Sequence, residues 1–511
     1  MKMKTNMLTF AAALLACGVC VPAMAQKAKD TLRFPVADPD AGIDTYTLPS
    51  SFANVWGPSA YDMLLAFDPD KGQFVGHIAK SYKEVNPTTY EFDIRTDIKW
   101  HDGQALDAED VVYTLTYLTD PKVKLRYKAY WAWIDKIEKL SSHKVRVTAK
   151  RPVPDGLMYL AMRTPIYPQH VHAPLANKLD FAAKPVGTGP LRIVQLDQNT
   201  GIVGERYAGY VPSSVKEPSG VGRVVAQPIK DHGTIVASLL TGNADVALDL
   251  PPDMAADLVK SGKFEITLAP PNTGYTFLQF PSKGGENVKA LGDVRVRTAI
   301  IKAIDRDTLV KVKFGDLAKG MKPPEALCSK EQLGCGYTKL APKQDVEGAK
   351  KLLAEAGYAD GFDVVISGFQ AAAAEMTAAA GMLRAVGIRA TVRQHPTAQR
   401  VQLIAQGKVD IGMYGWSGGG MFEVSGQLGR HVHSKDYEDP MLEKLASPTY
   451  AIGNDAERRK AVAKIFDYIT EQAYAFVTVA NRPVFTHTKE VKLNASGFRA
   501  EQVNPHEFGW K

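Results

Sequence analysis

Asp410–Val424 reads DIGMYGWSGGGMFEV, and within it Gly415-Trp416-Ser417-Gly418-Gly419 matches G-x-S-x-G letter for letter. In α/β-hydrolases this pattern sets a serine nucleophile on a sharp strand-to-helix turn, with a histidine and an acid arriving later in the chain. A strand is expected over Val409–Tyr414, and Asp439, His487 and His506 are available as partners for Ser417. The helix behind the serine is the weak part. Gly418, Gly419 and Gly420 fill its first turn, and each costs ~1 kcal/mol relative to alanine in a helix. The same glycines suit a loop whose bare backbone amides approach a ligand closely. Trp416 beside them is a rigid apolar plate with one N–H donor. The stretch therefore reads first as a loop that holds a ligand, with a secreted serine hydrolase using Ser417 as the alternative of another class.

Other chemistry-bearing residues point to less. His431-Val432-His433, with Asp436 nearby, has the spacing of two metal ligands, but histidine pairs of this kind are mostly ordinary surface residues. His101-Asp102 ends an expected strand, where adjacent side chains point to opposite faces, so it reads as a polar turn. No GxxxxGK[ST] and no HExxH occurs, so neither a P-loop nor that zinc motif is expected.

The elements that must position these residues belong to a chain of 511 residues, too long for one core, so about two or three domains are expected. Lys2 and Lys4, the apolar run LTFAAALLACGVCVPA and the small-x-small site Ala23-Met24-Ala25 read as a secretory signal peptide over 1–25. A lipoprotein box ending at Cys17 is the rival cut, though a polar tether does not follow it. Past this leader no apolar run approaches the ~20 residues that span a bilayer, which predicts an exported, periplasmic protein. Loss of Lys2 and Lys4 lowers the formal charge from +7 to +5, and the remaining Lys and Arg are interleaved with Asp and Glu. A nucleic-acid binder would gather them on one face, so nucleic acid is not an expected partner. Two cysteines remain, Cys328 and Cys335, which in an oxidising compartment are expected to form a short-loop disulfide.

Period-two alternation over YEFDIRTDIKW (Tyr90–Trp100) predicts a half-buried strand, and Asp107 with Asp110 predicts a capped helix start. Ile235–Leu248 and Arg400–Tyr414 share one layout: an apolar helix face, Gly242 or Gly407 as the left-handed cap, then Asp245 or Asp410 opening a strand. Two such units suggest two α/β lobes built alike. Helices are expected over Leu291–Val312 and Asp345–Tyr358. LAPPNTGYTF (Leu268–Phe277) and ANRPVF (Ala480–Phe485) read as two crossings between the lobes, a hinge geometry.

YDMLLAFDPD, the run from His77 to Leu115, VGTGPLRI (Val186–Ile193), VRVRTAIIKAIDR, AKKLLAEAGYADGF, VGIRATV (Val386–Val392) and DIGMYGW occur in this order. Together they resemble the family-5 extracellular solute-binding proteins of ABC importers, the dipeptide/oligopeptide-binding group, from about residue 31 to the C-terminus. The resemblance implies a type II periplasmic-binding fold: two α/β lobes with a hinge, plus an extra domain. It places domain I at 26–59, 186–270 and 484–511, domain II at 60–185 and domain III at 271–483. It implies a monomer without catalysis or cofactor, which traps a peptide or peptide-like solute and delivers it to permease subunits powered by a separate ATPase. Family members also serve opines, oligosaccharides and nickel chelates. The expected ligand contacts are Trp416, Ser417, Gly418 and Gly419, with Tyr414 and Tyr275 in the wall and Tyr46 from the N-terminal loop; no metal site is expected.

Two departures bear on the ligand. Peptide-binding members commonly carry an acid just after the Gly-Trp pair, where this chain has Ser417-Gly418-Gly419-Gly420. Dipeptide binders place an Arg ahead of the helix corresponding to Ala371–Ala385, where this chain reads ISGFQAAAAEM. Either Glu423 or another acid substitutes, or the ligand is not a simple zwitterionic peptide.

Overall fold

The computed structural model describes residues 30–511 apart from 38–41, 48–50, 69–70, 154, 270–273, 286–287, 397–398, 400–401, 405, 417–422 and 494–503. The expected leader over 1–25 lies outside the described residues. Among the described residues, no helix is long and apolar enough to cross a membrane.

Two α/β lobes carry the architecture. In the first, Thr31–Val36 pairs in parallel with Arg223–Pro228, and Gly201–Arg206 and Leu191–Asp197 continue the sheet. A three-stranded sheet, Val246–Leu248, Val484–Thr488 and Phe264–Leu268, adjoins it. The second lobe holds a five-stranded sheet in the order Arg389–Gln394, Asp363–Gly368, Ile411–Trp416, Tyr275–Gln279 and Ala475–Ala480. Separate apolar clusters cover its two faces, as the largely apolar runs FLQF, VVIS and FVTV require of strands buried on both sides.

The internal repeat is structural down to single hydrogen bonds. Asp245 and Asp410 each precede a strand and are buried. The Asp245 carboxylate accepts the N–H of Arg33 at 2.9 Å, and the Asp410 carboxylate accepts that of Val365 at 3.2 Å. Arg33 and Val365 are each the third residue of their strand. The register repeats too: Thr31 faces Arg223 in one lobe, and Asp363 faces Arg389 in the other, both first residues of parallel strands. Gly242 and Gly407 take the left-handed conformation, at φ 75° and 65°.

The two crossings run side by side. Leu268 pairs with Val484 and Tyr275 with Ala480, in antiparallel ladders on either side of the connection. Between them Ala269 N–H donates to Pro483 O, Arg482 Nε–H to Ala269 O and Asn481 N–H to Gly274 O, each at 2.9 Å.

The extra region contains a four-stranded antiparallel sheet, Ala79–Asn86, Thr89–Ile94, Lys144–Ala149 and Ile134–Ser141, whose core is continuous with that of the first lobe. The expected strand over Tyr90–Trp100 stops at Ile94. Arg95 and Asp97 close a bend through two guanidinium–carboxylate hydrogen bonds of 2.9 Å, yet Ile98 and Trp100 stay buried. Asp107 and Asp110 form a full capping box at Ala108–Thr119. Gly187 and Gly189 explain the VGTGP stretch: a Cβ on either would lie within 2.5 Å of a carbonyl oxygen of Ser59 or Ala60.

His101 stitches this seam. Its Nε2–H donates to Gly189 O at 2.9 Å and its Nδ1 accepts Gly187 N–H at 3.2 Å, so both nitrogens are used and the ring is neutral. Asp102 turns away to His170, so the pair is the polar turn expected. Burial lowers the His101 pKa from 6.5 to about 4. The unfolded chain protonates first, so its contribution is complete above about pH 6.5 and is lost as pH falls toward 4, at most about 3 kcal/mol. Urea unfolding across this window should show stability falling with acid, with a shallower fall in His101→Gln; equal slopes would refute the assignment.

Candidate solute-binding site

The strand Ile411–Trp416 carries the loop of interest to the lobe edge where the hinge begins. Ser417, Gly418 and Gly419 lie outside the described residues. Trp416 is half-buried, and its indole Nε1 is buried with no hydrogen-bond partner among the described residues. Its carbonyl faces the hinge, where Asn481 Nδ2 approaches at 3.4 Å.

Asn481 connects this strand end to charge. Its Oδ1 accepts from Lys313 Nζ at 3.0 Å, and the same ammonium lies 3.7 Å from Glu375 Oε1. Lys313 sits near the end of Arg306–Phe314, and Glu375 in the first turn of Ala373–Arg384, the helix that lacks the expected arginine. From the first lobe comes Asp249, just past Val246–Leu248, at φ 50°. Its backbone N–H donates to Val484 O at 2.8 Å, and its Oδ1 accepts Val484 N–H at 2.9 Å.

Asp249 is exposed at the surface, with protein close around its carboxylate. That enclosure pushes its carboxyl above the usual value, against the Val484 N–H and the Lys313 ammonium. Burial likewise lowers Lys313, against Glu375 and Asp249. A cavity of about 610 Å³ opens nearby, walled by Gly274, Tyr275, Phe314, Lys322, Glu325 and Arg482 among others. Its volume falls within the ordinary range for small-molecule sites.

The other expected contacts are more deeply set. Tyr275 is 3% exposed, and its hydroxyl meets His431 Nε2 at 3.2 Å. Tyr414 is equally buried, with the Phe277 ring 5.9 Å away and the Arg430 guanidinium 5.5 Å over its face. Tyr46 belongs to the core rather than to a ligand wall: its hydroxyl donates to Pro165 O and its ring meets the edge of Trp131 at 5.4 Å. An aromatic in a loop carries no sequence mark of which way it faces.

His431 is fully buried and its second nitrogen, Nδ1, meets Tyr437 at 2.9 Å, so the histidine pair is divided; His433 is exposed near Glu443. No cluster of three or more His, Cys, Asp or Glu suited to a metal occurs among the described residues. The acids and histidines considered for Ser417 have other employment. Asp439 caps Pro440–Ala446 and accepts from Tyr468 and Tyr474, His487 meets Thr267 and Thr488, and His506 meets Ser59.

Glu423, just past the glycine loop, is also committed. It is 2% exposed, 2.6 Å from Arg458, and accepts Ser425 N–H at 2.7 Å. Burial raises its pKa to about 7, with Arg458 pulling down and Asp155, from the extra region, pushing up. Arg459 donates to the carbonyls of Lys330, Gln332 and Cys335, holding the loop closed by the Cys328–Cys335 disulfide, whose Cα atoms are 6.0 Å apart. Leu333 of that loop packs against the Phe67–Met158 pair of the extra region.

Comparison with known proteins agrees with this architecture. The profile of bacterial extracellular solute-binding proteins, family 5 (middle), matches residues 73–439. The glutathione-binding protein of Pectobacterium atrosepticum is 28% identical over 358 residues, covering 69% of this chain and 66% of that one. The protein of the same name from Escherichia coli O157:H7 is 24% identical over 510 residues, covering 95% of each. Among solved structures, NikA from Brucella suis with Fe(III)-EDTA superposes at a TM-score of 0.82 with 18% identity, over 94% of this chain and 100% of that one. DppA from Helicobacter pylori with the peptide STSA gives 0.75 with 18% identity, over 94% and 98%. With two like-built lobes on a paired hinge and a family match across most of its length, this chain belongs to the family-5 bacterial extracellular solute-binding proteins.

Proposed function

We propose that the protein captures a peptide or peptide-like solute between its two lobes and hands it to ABC permease subunits driven by a separate ATPase, changing no covalent bond. The observation that carries this reading is the duplicated lobe pair on a double-stranded hinge, with charged side chains from both lobes meeting there. The names of the glutathione-binding relatives favour a small peptide with free charged ends. Export through the leader over 1–25, monomeric behaviour, contacts from Ser417, Gly418 and Gly419, and domain limits at residues 60, 186, 271 and 484 belong to the same proposal.

Titration calorimetry with glutathione, di- and tripeptides, an opine and an oligosaccharide tests it, alongside small-angle scattering. A peptide-class ligand should bind at micromolar concentration or tighter and reduce the radius of gyration. Binding of the opine or sugar alone would replace the ligand class. A mature protein that binds none of them and keeps its dimensions would overturn the proposal.

A further inference from the structure

The second lobe touches the extra region at a seam outside the hinge. Leu333, in the disulfide-closed loop, seats against Phe67 and Met158, and at the rim Arg151 Nη1–H donates to Tyr450 O at 3.2 Å. Leu333 is held from its own lobe. Val424 N–H donates to its carbonyl at 3.1 Å, and the buried amides of Gln332 and Gln427 exchange hydrogen bonds of 2.9 and 3.0 Å. Glu423, bridged to Leu333, lies 2.6 Å from Arg458, and the two are 2% and 4% exposed. From the extra region Asp155, half-buried ahead of Gly156–Met162, accepts from the Tyr159 hydroxyl at 2.7 Å. Asp155 and Tyr159 both face Glu423, and Tyr450 faces Asp155 and Arg458.

We propose that Asp155, Glu423 and Arg458 form a proton-linked latch, which shuts the second lobe on the extra region by taking up one proton between its two carboxylates. The inference goes beyond the transport role and rests on the lobe movement which that role assumes. Shut, the seam holds two carboxylates and one guanidinium where little water reaches, a surplus negative charge that a single proton cancels. Open, Glu423 and Arg458 stay together on the second lobe, Asp155 leaves with the extra region, and water returns to the pair. Burial, the largest influence on Glu423, and repulsion by Asp155 belong to the shut form, whereas the pull of Arg458 is common to both. The shut form therefore holds its proton up to about pH 7, and the open form only near the ordinary value of 4.5. Closure strengthens as pH falls through 7 and levels off toward 4.5.

Small-angle scattering of the ligand-free mature protein at about pH 6 and about pH 8.5 reads the shut fraction on either side of that titration. The dimensions of this structure give the shut limit. Leu333→Glu, which drives a charge into the Phe67–Met158 seat, gives the open one. Wild type should favour the shut form about 10-fold more at the lower pH. Glu423→Gln, always neutral, should be as shut at both pH values as wild type is in acid. Asp155→Asn, which keeps an acceptor for Tyr159, should shut more readily at the higher pH and respond less to acid. Melting curves confirm folding of each variant. A wild-type shut fraction that ignores pH, or a response undiminished in Glu423→Gln, would overturn the latch and leave solute capture intact. Dimensions that neither pH, Leu333→Glu nor any solute of the calorimetric panel alters would overturn the lobe movement as well.

Discussion

Replacing Arg458 by methionine should lower stability by about 3–5 kcal/mol near pH 8, because it leaves the Glu423 carboxylate buried without its cation. The loss has a pH signature. Glu423 already has a raised pKa in the folded protein, and removal of Arg458 raises it further. Its proton therefore favours the folded state, so the deficit is largest above the folded pKa and shrinks as pH falls toward the unfolded value of 4.5. Urea unfolding of Arg458→Met at about pH 8 and about pH 5 measures both numbers. Adding Glu423→Gln should restore most of the loss. A deficit independent of pH, or not rescued by the second change, would show that Arg458 acts by packing alone.

Asp62→Ala should cost as much or more. The Asp62 carboxylate accepts from Lys216 Nζ at 2.6 Å and from Thr188 Oγ1 at 2.8 Å, and lies 2.8 Å from His77 Nε2. Burial alone would raise its pKa, but Lys216 and then His77 outweigh it and hold the carboxyl well below the usual range. The Lys216 side chain is 3% exposed, so removing Asp62 leaves an ammonium inside the protein without that countercharge, a defect of about 3–5 kcal/mol. The wild-type contribution is complete above the unfolded value of 3.8 and is lost only below it, as pH falls. At neutral pH the Asp62→Ala urea midpoint should therefore fall sharply, and Lys216→Met in the same chain should recover part of it. A midpoint unchanged within error would mean that water reaches the ammonium.

Devices whose determinants lie within a turn or two were readable from residues alone. Asp107 and Asp110 form a capping box because both partners lie in one helical turn, and Gly242 and Gly407 end helices because their φ values suit glycine. The repeat could be seen, but its purpose could not: Asp245 and Asp410 serve strands 212 and 45 residues distant. Distance also hides the cleft. Lys313 reaches Asn481 across 168 residues, and nothing in LVKVKF separates it from the other lysines. Asn481 lies in the linker ANRPVF, a polar residue where a hinge needs only reach, and that is the one mark it carries in the sequence. The bend after Ile94 escaped alternation counting because Arg95 and Asp97 continue the polar positions while folding the chain back on itself.

The backbone bonds that lace residues 269 and 274 to 483 and 481 restrict how the molecule can move. Neither strut can lengthen or slip past the other, which leaves torsion about a shared axis as the low-cost freedom. The path of the jaws is then written into the backbone before any cargo arrives. Cargo chemistry governs how long they stay shut, so substitutions at ligand-contacting side chains should alter residence time far more than the shape reached at the end of the swing.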